Sequence, residues 1–302
     1  MIFPMFALQN EKHMLKFKEL IISLLVVLII SGYVSFNKPS PIANEKLITL
    51  EKIEKERFPD VVEKVKIEQR IINSTDDILP IEGPKVKPVD YLNAISLAQL
   101  PVKEKKQRFV DLVLPAILIA KEEYKARLDW VRSVSKKDNM TPVEEEKLKK
   151  LMKDFRATSL QDLEKRLVTH PTSIVLAQAS IESGWGTSRF FVQANNIFGV
   201  WSFNPDDPRI PTLSTRNGKR MYLYKYNTLS ESVDDYFKLL ATRKPFEQFR
   251  NARLKTQDPF KLVEYLDKYS ERGEAYVEDL KAQIRHNNFT KYDSYTLDLG
   301  NK

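Results

Sequence analysis

From Val102 to the C-terminus the apolar residues return every three or four positions, and that helical period gives way to a strong strand pattern at one place. In "KQRFVDLVLPAILIAKEEYKARLDWV", Phe109, Val113 and Leu114 share a face that continues past Pro115 to Leu118, Ile119 and Leu128, with the proline expected to kink the helix. Thr141 opens a second helix with Pro142 at its first position and Glu144 completing a capping box. Ser159 opens a third, with Leu160, Leu163 and Leu167 in one row. Pro171 begins a fourth, which carries Glu182 and ends at Gly184. The interruption is "TLSTRNGKRMYLYKY", where Asn217-Gly218 is a favoured two-residue hairpin turn and Tyr222, Tyr224 and Tyr226 alternate onto one face. Helices then resume: Thr228 with Glu231 fits a capping box ahead of the row Val233, Phe237, Leu240, and two more follow around Phe260 to Asp267 and Glu274 to Arg285, the last lining up Tyr276, Leu280 and Ile284. A mainly α, α+β domain with one small β-hairpin lobe is the expectation, over 102–302.

The N-terminal third has another character. "LIISLLVVLIISGYVSF", Leu20 to Phe36, is uncharged and follows Lys12, Lys16 and Lys18. A spanning helix needs about 17 to 25 such residues, so 20–36 is expected to be a transmembrane anchor or uncleaved signal. The lysines place 1–19 in the cytoplasm and the remainder on the periplasmic side of an inner membrane. The stretch 37–101 is charged and broken by Pro59, Pro80, Pro84 and Pro88, which reads as a spacer with one helix near Glu45 to Arg57. The chain has no cysteine, which excludes disulfides and thiol chemistry. Its net charge of +8 is spread through mixed-sign segments with no basic stripe, so an anionic envelope is the expected partner and nucleic acid is not. His13, His170 and His286 stand apart from other metal-ligating residues and read as surface or capping histidines; neither a metal nor a cofactor is expected.

The informative residue is Glu182. Val175, Ala179 and Glu182 follow one another at four and three residues, so the glutamate continues an apolar row. It also sits in the last turn, where the helix dipole disfavours an anion by about 0.3 to 1 kcal/mol. Both features favour the neutral acid, with Trp185 a further source of desolvation, and such an acid is what a glycosidase uses to protonate a leaving sugar oxygen. A glutamate that caps the helix or pairs with Arg189 fits the same residues. Gly184 and Gly186 suit a close backbone approach or a simple C-cap. Asn195 and Asn196 suit a sugar acetamide or a tied loop; Trp201, Tyr222 and Tyr224 suit a stacking platform or a core.

Taken together, "LAQASIESGWGTSRFFVQANNIFGV" resembles the signature of the N-acetylglucosaminidases of glycoside hydrolase family 73, the mannosyl-glycoprotein endo-β-N-acetylglucosaminidase-like domains, roughly A-Q-x-x-x-E-S-x-W-G-x-S followed by A-x-N-x-F-G. "YNTLSESVDDYFKLL" and "KYSERGEAYVEDLKAQI" are similar to later blocks of that family, and "RFVDLVLPAILIA" resembles its Bax-type bacterial murein hydrolase subgroup. The resemblance covers about Val102 to Leu297. It implies a lysozyme-like fold, peptidoglycan glycan strands as substrate, and cleavage after N-acetylglucosamine. It makes Glu182 the general acid and matches Tyr269 to an active-site tyrosine, although Tyr-Ser-Glu stands where many relatives have Tyr-Ala-Thr. Asn196, Phe198 and Gly199 match a loop beneath the groove. A second carboxylate often carried on the hairpin is missing here; Asp206 and Asp207 in "FNPDDPR" are the nearest candidates, and the substrate's own 2-acetamido group is the other route. A lytic transglycosylase and a non-catalytic murein-binding protein are the competing expectations.

Overall fold

Residues 66 to 101, which read as the end of a spacer, are instead folded into the domain. The computed structural model describes residues 66–300 apart from Asn217 and the side chain of Arg216. In it β1 (Glu68–Arg70) pairs in parallel with β3 (Val89–Tyr91), while β2 (Lys85–Val86) pairs in parallel with β7 (Thr296–Leu297) from the other end of the chain. Ile72, Ile78, Val86, Val89, Tyr91, Ala94 and Leu97 all drop into the main core. Prolines and charges between them hide the pattern: an extended strap that inserts one apolar side chain at a time has no helical or strand period to read. The tail, the apolar run 20–36, the first part of the spacer and the helix near Glu45 lie outside the described residues. Among the described residues no helix is long and apolar enough to cross a membrane.

Helix α1 (Val102–Val134) runs on through Pro115 and buries Phe109, Val113, Leu114, Leu118 and Ile119. Helix α2 (Pro142–Asp154) has the expected box: the Thr141 hydroxyl accepts from the Glu144 amide and the Glu144 carboxylate accepts from the Thr141 amide. The Ser159 hydroxyl caps α3 (Leu160–Leu167) by accepting from the Asp162 amide, while the Asp162 carboxylate accepts from the amide of Thr158. Helix α4 (Thr172–Glu182) is buried all round from Thr172 to Ser180 and packs against α1, the later α9 (Glu274–His286) and a 3₁₀ turn, Phe289–Ser294. A short helix so apolar has no wet face to turn outward, which makes it the central element of the domain.

After α5 (Arg189–Ala194) comes a three-stranded sheet in the order β4 (Trp201–Ser202), β6 (Lys219–Tyr224), β5 (Arg209–Arg216), all antiparallel. Arg216 pairs with Lys219, so the hairpin loop has the two-residue length expected; Asn217 itself lies outside the described residues. The β5–β6 register shifts between Pro211 and Thr215. Thr228 caps α6 (Leu229–Thr242), but Glu231 reaches the Asn227 amide instead of closing a box on Thr228. Helix α7 (Glu247–Ala252) follows, then α8 (Pro259–Leu262), which tightens into a 3₁₀ turn over Val263–Leu266, and α9 buries Tyr276, Leu280 and Ile284 as expected. The result is mainly helical with small sheets.

Candidate active site

Helix α4 delivers Glu182 by stopping abruptly. Ser183 caps it: its amide and hydroxyl both bond the Ala179 carbonyl, and its hydroxyl oxygen accepts from the Gly186 amide at 3.1 Å. Gly184, Trp185 and Gly186 then run at φ of +58°, +58° and +77°. At Gly186 a β-carbon would lie 3.0 Å from Leu97 and 3.3 Å from Phe109, so the turn is pressed onto the strap and α1. Trp185 tolerates a left-handed backbone because its ring is held: it packs edge-on to Phe109 at 5.5 Å, lies 6.0 Å from Phe289 and sits under the Lys106 ammonium.

Glu182 is left half-buried at this end, where α4 carries no basic residue in its last turn. Its Oε1 accepts a hydrogen bond of 2.7 Å from the Tyr276 hydroxyl. Burial pushes its carboxyl above the ordinary glutamate range, against the pull of Tyr276 and the Arg272 guanidinium. One turn earlier, Gln178 Nε2 donates to the Tyr276 oxygen at 3.1 Å. Tyr269 stacks on Tyr276 at 5.7 Å and 6°, and its own hydroxyl is held well above the usual phenol range by burial and by the Glu182 charge. A carboxyl kept toward its neutral form at the edge of an aromatic wall is suited to giving a proton.

The family model described as mannosyl-glycoprotein endo-beta-N-acetylglucosaminidase matches residues 157–289, a span that includes Glu182, Tyr269 and Tyr276. The chain carries a glycoside hydrolase domain of the glucosaminidase family. It is 26% identical over 197 residues to protein bax of Escherichia coli K12, which covers 61% of this chain and 70% of that one. It is 39% identical over 72 residues to the exo-glucosaminidase LytG of Bacillus subtilis, 22% of this chain and 26% of that one. Among solved structures, the catalytic domain of the Listeria monocytogenes autolysin Auto matches 56% of this chain and 96% of its own at 20% identity and a TM-score of 0.36. The Salmonella typhimurium FlgJ glycoside hydrolase domain matches 47% and 95% at 22% identity and a TM-score of 0.31.

Within the glucosaminidase domain several expected substrate contacts are committed elsewhere. Asn195 is buried at a left-handed helix end; its oxygen accepts from the Ala94 amide and its nitrogen donates to the Leu92 and Tyr226 carbonyls. Asn196 ties its own loop, accepting from the Val200 amide and donating to the Val200 and Tyr224 carbonyls. Both side chains are buried and bonded to backbone, which is the tied-loop role; a buried amide must find partners, and here the backbone supplies them. Phe198 lies in the core, stacked on Tyr236 at 4.1 Å, and Gly199 turns the loop at φ +66° with open space beside it. Trp185 is spent on Phe109 and Phe289. The pairing of Glu182 with Arg189 is not formed: Arg189 bonds Gln193 and the Pro211 carbonyl.

The hairpin lobe keeps more of its expected groups available. Trp201 is 38% exposed, whereas Tyr222 has the Arg209 guanidinium 4.0 Å over its ring. Tyr224 stacks on Tyr226 and hydrogen-bonds Asp207, which lifts its hydroxyl to about 12 through burial first and Asp207 second. Asp207 also accepts from the Ser202 hydroxyl at 2.9 Å, while Asp206 is exposed in the turn. Beyond the stacked pair, Tyr226 donates at 2.7 Å to Asp235, whose carboxyl burial raises. The sequence reading missed Tyr276, Gln178 and Asp235. Tyr276 was visible only as a hydroxyl in a row otherwise made of Leu280 and Ile284.

Proposed function

We propose that this chain is a peptidoglycan hydrolase with a lysozyme-like catalytic domain, a β-N-acetylglucosaminidase that cuts the glycan strand after N-acetylglucosamine with Glu182 as general acid. The observation that carries the reading is the Glu182 carboxyl, held above its ordinary range at the C-terminus of a buried helix, with one oxygen bonded by Tyr276 and the other available. The glucosaminidase family match and the relative named an exo-glucosaminidase point to the substrate. In the reaction the Glu182 proton passes to the leaving sugar oxygen as the glycosidic C–O bond breaks, and water supplies the new hydroxyl at the anomeric carbon while its other proton restores the Glu182 acid. Asp207, held by Ser202 and Tyr224, is the protein group to guide that water; the substrate's 2-acetamido group is the alternative. Exposed Trp201 is the candidate stacking surface. Residues 20–36 would anchor the enzyme in the inner membrane and leave the domain facing the periplasmic murein, as the lysines before that run suggest.

The test is digestion of purified murein sacculi by the full chain in detergent, wild type beside Glu182→Gln, with products read by reducing-end chemistry and mass. Fragments ending in reducing N-acetylglucosamine from wild type alone are the expected result. Anhydro-muramyl ends would identify a lytic transglycosylase instead, and binding without release by either protein would identify a murein-binding protein.

A further inference from the structure

Glu182 is the last member of a buried line of polar groups in which hydrogen bonds run one way. Tyr276 donates to Glu182 Oε1 at 2.7 Å, and Gln178 Nε2 donates to the Tyr276 oxygen at 3.1 Å. The other end of the Gln178 amide, Oε1, accepts at 2.6 Å from the hydroxyl of Tyr236 on α6. The Tyr236 oxygen in turn lies 2.9 Å from Nε2 of His170. Tyr236 has one proton and it is used on Gln178, so the hydrogen in the last contact belongs to His170. That fixes the imidazole as the Nε2–H tautomer. Burial, with Arg253 and Lys121 nearby, holds the ring neutral, and its Nδ1, ringed by Tyr236, Phe237 and Phe249, meets no donor. His170 is therefore not the surface or capping histidine the sequence suggested: it is 1% exposed.

Resting on the reading of Glu182 as general acid, we propose that His170, Tyr236, Gln178 and Tyr276 form a one-way donor chain that reserves Glu182 Oε1 as an acceptor and leaves the transferable proton on Oε2. A protonated carboxyl oxygen is a poor acceptor, so a donor fixed on Oε1 selects the other oxygen for the proton. When that proton passes to the glycosidic oxygen, the O–H electron pair stays on Glu182 as negative charge. The Tyr276 bond then becomes charge-assisted and roughly doubles in strength, so it favours the transition state over the bound acid. Tyr276 is thus a positioning residue, and Gln178, Tyr236 and His170 position it. None of the three behind it is replaceable by an apolar group without leaving a buried partner unpaired.

The charged and titratable groups facing Glu182 are Tyr276 on α9, Arg272 just before α9, Tyr269, and Tyr236 on α6. Of these, Tyr276 and Arg272 favour the carboxylate. The chain is tested in the full protein, with ¹³C-labelled glutamate so that the Glu182 carboxyl titration is read directly and assigned with Glu182→Gln, alongside sacculus turnover. In Tyr276→Phe the carboxyl midpoint should rise by about 1 to 2 pH units and turnover fall about 10- to 100-fold, with the alkaline limb of the rate profile moving up in step. Tyr236→Phe, two bonds away, should move both in the same direction by less, and it decides the matter if Tyr276→Phe does not fold. A Glu182 midpoint unchanged in both variants, or lowered, would overturn the proposal. Loss of cleavage in wild type would strike the enzymatic reading alone, because the titration still reports the chain.

Discussion

The two ends of α4 each face a carboxylate, and the two are placed on opposite principles. At the N-terminus Asp293, from the 3₁₀ turn, accepts from both the amide and the hydroxyl of Ser173 at 2.7 and 2.9 Å. It satisfies an orphan donor that Pro171 cannot cap, and it meets the positive end of the dipole. At the C-terminus Glu182 meets the negative end and receives a single bond, from a phenol. Burial raises both carboxyls; at Asp293 it is opposed by helix N-terminal contacts at Ser173 and by Lys121, at Glu182 by the Tyr276 hydroxyl and Arg272 alone. A carboxylate set at the helix end where the dipole disfavours it, within the same helix that holds another at the end where the dipole favours it, is the contrast on which the proposed role of Glu182 rests.

The bluntest way to break this comparison is to remove the strap both ends lean on. The Leu97 amide bonds the Gly186 carbonyl behind Glu182, and β2 pairs with β7 just past Asp293. Starting the chain at Val102 deletes Ile72, Ile78, Val86, Val89 and Tyr91 from the core at about 1.5 to 3 kcal/mol per large side chain, a loss comparable to a whole stability of about 5 to 15 kcal/mol. We expect that fragment to show no cooperative melt, whereas one beginning at residue 66 should melt cooperatively.

Next in size, Glu182→Gln should lower cleavage about 10² to 10⁴-fold with no loss of melting temperature. Asp293→Ala should do the reverse: about 0.5 to 2 kcal/mol of stability lost in a denaturant titration, with turnover of the folded protein kept.

The smallest effect lies in the pH dependence of stability. A carboxyl raised in the fold binds more protons there than when unfolded, so stability falls as pH rises from the ordinary glutamate value through the raised one. Asp111, Asp235 and Asp293 are raised as well, so the contribution of Glu182 is the difference between wild type and Glu182→Gln melts. That difference should favour the Gln variant increasingly toward higher pH; a flat difference would mean the carboxyl is not raised.

What the sequence made legible was local. Thr141 with Glu144, Ser159 and Thr228 found their caps because the partners lie within three residues. The Glu182 row was readable because one helix holds it. Asn196 takes the tied-loop role its sequence allowed, mostly through Val200 four residues on, whereas the partners of Asn195 were hidden because they arrive from other elements, Ala94 across 101 residues and Leu92 across 103. Tyr276 meets Glu182 across 94 residues, and no periodicity connects α4 with α9. The strap failed for the same reason: its residues are chosen by the core they enter and not by their neighbours in sequence.

The most direct test of Glu182 as an acid varies how much the leaving group needs a proton. Cleavage by wild type and Glu182→Gln should be compared on a murein glycan and on the matching dinitrophenyl β-glycoside, whose phenolate departs unaided. A general acid predicts a large loss on the glycan and little on the aryl glycoside. Equal loss on both would contradict the role assigned to Glu182.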